Sequence, residues 1–171
     1  STTKFVLAHI FTDERNRKNC IDFLLQIKNT CYDQILTEYY LKKYMGVDER
    51  ITFVCDGFEN YKSAFNKLFY RVAKLQFGVP IACKKYGLEH NNNAIERYNG
   101  KINDRLHATR GEFKSFETAE AFMNLQHTIN NFVNPHQQLK GKTPAEIAGI
   151  NFSLRRNKIL DLILYAATLT R

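Results

Sequence analysis

The sequence predicts an α/β fold in which strands and helices alternate through the first half and helices alone follow. Three observations carry this. "ITFVC" (residues 51–55) is apolar and rich in β-branched residues, and Asp56-Gly57 ends it as a turn pair. Residues 16–45 contain neither Gly nor Pro and repeat apolar residues at helical spacing. Beyond residue 93 the apolar spacing is helical, with Ser, Thr and Pro at positions that start helices. At 171 residues the chain suits one domain with a real core.

In chain order, "KFVLAHIF" (4–11) is a short apolar run with β-branched and aromatic residues and predicts a strand. Ile21, Leu24, Leu25, Ile27, Cys31, Ile35, Leu36 and Tyr39 then mark one long helix, or two with a break near "NTCYD" (29–33), stopped by Gly46. After the strand at 51–55, "ENYKSAFNKLFYRVAK" (59–74) predicts a helix with Tyr61, Ala64, Phe65, Leu68 and Val72 on one face. "GVPIAC" (78–83) reads as a short strand, at an edge because of Pro80.

Helices are expected from about Asn93 to Thr109, over 115–133 with Ser115 and Thr118 as candidate caps, and at "TPAEIAGI" with Thr143 as cap and Pro144 in the first turn. A last helix is expected over 156–169. The domain reading is a core over 1–150 and a helical extension over 151–171, packed on that core or on a partner subunit.

The formal charge of +8 and pI near 9.3 come from Lys and Arg spread along the chain, which points to a folded basic surface and to nucleic acid as partner; solvated lysines are the alternative. Cys20, Cys31, Cys55 and Cys83 form no C-x-x-C pair and no zinc spacing, so they read as buried thiols in a reducing compartment. The longest apolar runs, such as "ILDLILYAA" (159–167), are broken by a charge and too short to span a bilayer. A cytoplasmic, nucleoid-associated protein without membrane contact is the expectation. The chain opens on Ser1 and runs almost at once into apolar residues, which reads as the continuation of something longer.

Two acids stand out. Asp56 sits where a buried strand emerges into a loop, a position where open α/β sheets place functional groups and where Asp-Gly is also a common turn. Glu96 heads the basic segment "EHNNNAIERYNGKINDR" (89–105). At 100° per residue Ile95, Tyr98, Ile102 and Leu106 form an apolar stripe, whereas Glu96, Gly100, Asn103 and His107 fall on the polar side. Its other reading is an acid favoured by the helix dipole. Together the two would suit divalent metals that activate water or a 3′-hydroxyl against a phosphodiester, with hard oxygens selecting Mg²⁺ or Mn²⁺. Arg97, Lys101, Arg105, Arg110 and Lys114 are candidate phosphate contacts, or a solvated face. His107 reads as an ordinary hydrogen-bonding residue.

"FVCDGFENYKSAF", "NNNAIERYNGKINDRLHATRGEFKS" and "NPHQQLKGKTPAEIAGI" resemble the catalytic core of prokaryotic insertion-sequence transposases of the DDE type, related to the retroviral integrase core and the ribonuclease H-like fold. The resemblance extends over about residues 3–165. It implies a mixed sheet flanked by helices, DNA transposition with cleavage of transposon ends and transfer of the 3′-hydroxyl to target DNA, a two-metal Mg²⁺ or Mn²⁺ site, and a homo-oligomer. Within it Asp56 matches the acid at the fourth strand's end and Glu96 the acid of the late helix. Glu96 is preferred over Glu89 because it carries the "NN.IER" pattern, although its forty-residue separation from Asp56 is a little long for the family.

Glu112 interrupts the usual "RGFKS", and Asn134 stands where an Arg before "PH" is common. His136 matches a family position and reads as structural. "TTKFVLAHIFTDER" resembles the family's third strand and exit, so the first strands and the first catalytic Asp are expected to be missing, with Asp13 as the nearest substitute. The chain by itself is then expected to be inactive in strand transfer; the alternative is a non-catalytic DNA-binding or assembly remnant.

Overall fold

The computed structural model describes residues 3–77, 93–108 and 113–169. It is a mixed α/β structure of two compact units, one running from Leu7 to residue 112 and the other combining the residues up to Val6 with those from Phe113 onward.

In the first unit, α1 (Arg17–Tyr44) begins where the Asn16 side chain accepts the Asn19 N–H at 3.0 Å. It kinks at Cys31 (φ −139°, ψ 20°), inside the "NTCYD" break expected from the sequence. Gly46, at φ +72°, ends it: its N–H bonds to the Lys43 carbonyl and that of Val47 to the Lys42 carbonyl, the paired closure that needs a left-handed residue. β1 (Ile51–Cys55) and β2 (Ala73–Phe77) pair in parallel, Ile51 opposite Ala73 and Cys55 opposite Phe77, and α2 (Glu59–Phe69) makes the crossover. Phe53 reaches from β1 onto Phe65 and Phe69 of α2, with ring centroids 5.4 and 4.8 Å apart. Cys20, Leu24, Ile27 and Ile35 of α1 close this core. Thr52 and Val54 face the other way and are exposed. The unit also contains α3 (Asn93–Ala108), on which Ile102 is buried and Tyr98 and Leu106 are half-buried.

In the second unit, Ser115 caps α4 (Phe116–Thr128), and Thr118 lies inside the helix as the donor to that cap. The chain then widens into a π-helical turn, Ile129–Val133, closed by the Asn134 N–H on the Ile129 carbonyl. α5 (Pro144–Ile147) carries a complete capping box. The Thr143 hydroxyl accepts the Glu146 N–H, and a Glu146 carboxylate oxygen accepts the Thr143 N–H at 2.7 Å. α6 (Lys158–Leu169) lies on this unit through Tyr165 against Phe152 (5.0 Å) and Lys158 to Glu146 (3.4 Å).

Two expectations fail. Residues 4–11 form no strand: a strand needs a ladder partner, and among the described residues none is offered. Instead the Asn131 amide supplies one rung, its Oδ1 accepting the Val6 N–H at 2.9 Å and its Nδ2 donating to the Val6 carbonyl at 2.8 Å. The helix expected to reach residue 74 ends at Phe69, and Val72 lies beyond it. Arg71 adopts φ +79°, which no helix propagates, and residues 73–77 become β2 because pairing with β1 overrides the helical preference of Ala, Lys, Leu and Gln. The described sheet is two parallel strands, with no antiparallel member of the mixed sheet among the described residues. The strand expected at 78–83 lies outside the described residues.

Candidate functional site

Asp56 follows the last residue of β1, at the carboxyl edge of a parallel β-α-β unit. Its Oδ1 accepts the Phe58 N–H at 3.4 Å, a local turn that leads into α2, and its Oδ2 is bound by the Arg15 guanidinium. Arg15 comes from the segment just before α1 and lies 4.6 Å from the Phe58 ring centroid and 5.5 Å from that of Tyr61. A flat cation held between a carboxylate and two aromatic faces is one that Arg supplies and Lys does not. The hydrogen bond to Asp56 raises the Arg15 pKa, so the cation is permanent.

Burial pushes the Cys55 thiol up to about 11 and raises Tyr61 above its ordinary value, so neither is an anion near neutrality. Cys20 is buried and Cys31 half-buried, its thiol directed at the Ile27 carbonyl; both are free thiols, and Cys83 lies outside the described residues.

Glu96 stands in the first turn of α3, exposed, on the polar side with Gly100, Asn103 and His107, as the helical spacing predicts. Arg97, Lys101 and Arg105 are exposed and follow one another at intervals of four, a basic column about 12 Å long at 1.5 Å per residue. Burial raises the Tyr98 hydroxyl to about 12, against the opposing pull of the Arg105 charge. Arg110 lies outside the described residues, and Lys114 is exposed in the other unit.

Asp56 is paired with Arg15, and Asp13 is exposed. Among the described residues no group of three His, Cys, Asp or Glu is gathered to hold a metal ion. The donor chemistry suits Mg²⁺ or Mn²⁺ nonetheless, since carboxylates are hard ligands and Mg²⁺ takes one or two of them beside water and phosphate oxygens. An ion that takes Asp56 through Oδ2 competes with Arg15 for that oxygen.

His136 is a structural residue: its Nε2 lies 3.2 Å from Asn130 Oδ1, Asn130 donates to Asn131, and Asn131 holds Val6. Sequence reasoning missed Arg15. Its signal was a cation at the exit of one apolar run, available to an acid at the exit of another. No helix among the described residues is long and apolar enough to cross a membrane. Comparison with protein-family models, curated proteins and solved structures gives no match.

Proposed function

We propose that this chain is the core of a DNA-transposing enzyme of the DDE type with a ribonuclease H-like fold, working as a homo-oligomer on transposon ends and target DNA. The observation that carries the reading is the position of Asp56, at the carboxyl end of the first strand of a parallel β-α-β unit, followed in the chain by a basic helix headed by an exposed Glu96. Asp56 and Glu96 are the residues that would hold Mg²⁺ or Mn²⁺. When bound, the ion would polarise the phosphodiester and activate the attacking hydroxyl. Arg97, Lys101 and Arg105 would grip the DNA backbone, with Arg110 and Lys114 further along.

The Arg15 contact favours a second reading, a DNA-binding module without chemistry in which Asp56 serves only to anchor Arg15. The test is Mn²⁺-dependent nicking and strand transfer by a protein containing this chain preceded by a strand with the first Asp. Asp56→Asn and Glu96→Gln are expected to abolish both reactions; activity that survives either change refutes the enzyme reading. DNA affinity of the chain by itself is expected to fall steeply with salt, and salt-insensitive binding would refute the phosphate contacts.

A further inference from the structure

At the opposite end of the same sheet lies a cleft of about 490 Å³, lined by Tyr39, Asp48, Arg50, Tyr70 and Arg71. Because β1 and β2 are parallel, the residues just before them, 48–50 and 70–71, meet at one edge, with the five residues of β1 between them and Asp56, on the order of 20 Å away. We propose that this cleft binds a nucleotide unit of unpaired nucleic acid, the base on tyrosine and the phosphate on arginine. The proposal is independent of the Asp56 and Glu96 chemistry.

Four features support it. The volume falls in the range of about 300–1,000 Å³ that small-ligand sites occupy. Tyr70 is 66% exposed although it is a large aromatic, and the Arg71 guanidinium lies 5.6 Å from its ring centroid, an aromatic face beside a cation. Arg50 Nε is buried without a hydrogen bond. Its nearest acid oxygen, Asp48 Oδ1, is 4.0 Å away, and its Nη1 reaches the Arg71 carbonyl only at 3.5 Å. The rest of the side chain is open, 31% exposed, so a phosphate in the cleft would take a charge-assisted bond from the guanidinium edge that faces solvent.

Arg71 keeps a left-handed backbone, φ +79°, where Gly would be relaxed, so an Arg side chain is held there at a cost of about 1 kcal/mol or more. Base-on-aromatic stacking with basic side chains along the backbone is how unpaired strands are held without sequence preference.

The test is the fluorescence anisotropy of a 5′-fluorescein oligothymidine of about 12 nucleotides against the whole chain, with circular dichroism as folding control. Tyr70→Ala is expected to weaken binding about tenfold, Tyr70→Phe to retain it, and Arg71→Gln to lower the salt dependence. Competition by dTMP at matched nucleotide concentration assigns the cleft to a free nucleotide, and strand binding that depends on Tyr70 but ignores dTMP assigns it to a polynucleotide. The proposal falls if Tyr70→Ala binds like the parent, or if Tyr70→Phe loses as much as Tyr70→Ala. Binding that Lys101→Ala weakens and Tyr70→Ala does not would refute the cleft while leaving the proposed function intact.

Discussion

Replacing Arg15 by Ala should move stability and metal affinity in opposite directions. The Arg15–Asp56 pair is exposed, with 53% and 43% of the two side chains accessible, so its ionic part is about 0.2–1 kcal/mol. The guanidinium over Phe58 and Tyr61 adds about 0.5–1 kcal/mol at an exposed site. Arg15→Ala should therefore cost about 0.7–2 kcal/mol in urea unfolding. An ion that takes Asp56 through Oδ2 breaks the same pair, so the ionic part returns as affinity: Mn²⁺ should bind roughly 1.5- to 5-fold more tightly to Arg15→Ala.

Removing any positive charge favours a cation slightly, and Arg17→Ala controls for this because Arg17 is exposed at the start of α1. Free Mn²⁺ followed by electron paramagnetic resonance reads the affinities, with Asp56→Asn as the variant expected to lose the site. Equal Mn²⁺ affinity in the Arg15→Ala and Arg17→Ala variants would show that Arg15 does not compete for Asp56.

Phe69→Ala should destabilise the first unit by about 3–5 kcal/mol, since the ring is fully buried among Phe53, Phe65 and Tyr32; a loss below 1 kcal/mol in chemical denaturation would contradict that packing. Asn131→Leu keeps the branched shape but leaves the Val6 N–H and carbonyl unpaired, a loss of about 1–3 kcal/mol; amide hydrogen exchange at Val6 should accelerate, and unchanged exchange would refute the rung. Cys55 should alkylate far more slowly than a free thiol at pH 8 and speed up only towards pH 11, by peptide mass spectrometry; rapid labelling at neutral pH would refute its burial.

Glu146 is held below the usual carboxylate range by the Thr143 N–H, and Asp161 by the Arg155 guanidinium. Depressed folded values mean stability that is present at neutral pH and is lost as pH falls below about 4. Thermal melting should show this acid loss, and Glu146→Gln should have less of it; identical acid slopes would count against the capping box.

Elements whose cause is local were legible in the sequence. The α1 stop at Gly46 needs only a residue that tolerates positive φ, the Thr143-Pro144 start needs only its own side chains, and "ITFVC" is too short and too β-branched to be much else. The apolar stripe of α3 followed from its period, which placed Glu96 outward without reference to any neighbour. The segment 4–11 and the helix-to-strand change after Phe69 were not legible, because β structure is decided by a partner distant in the chain. The same composition is a strand beside a ladder and an irregular segment without one.

The sequence by itself determined the α/β class, the helix boundaries set by caps, the basic surface, and the candidacy of Asp56 and Glu96. Only the tertiary structure decided that Arg15 holds Asp56, that Asn131 stands in for a strand beside Val6, and that Tyr70 and Arg71 share a cleft with Arg50. These are side-chain encounters across tens of residues. Periodicity and capping report only on neighbours within a few positions, so long-range pairings follow from the way the core closes.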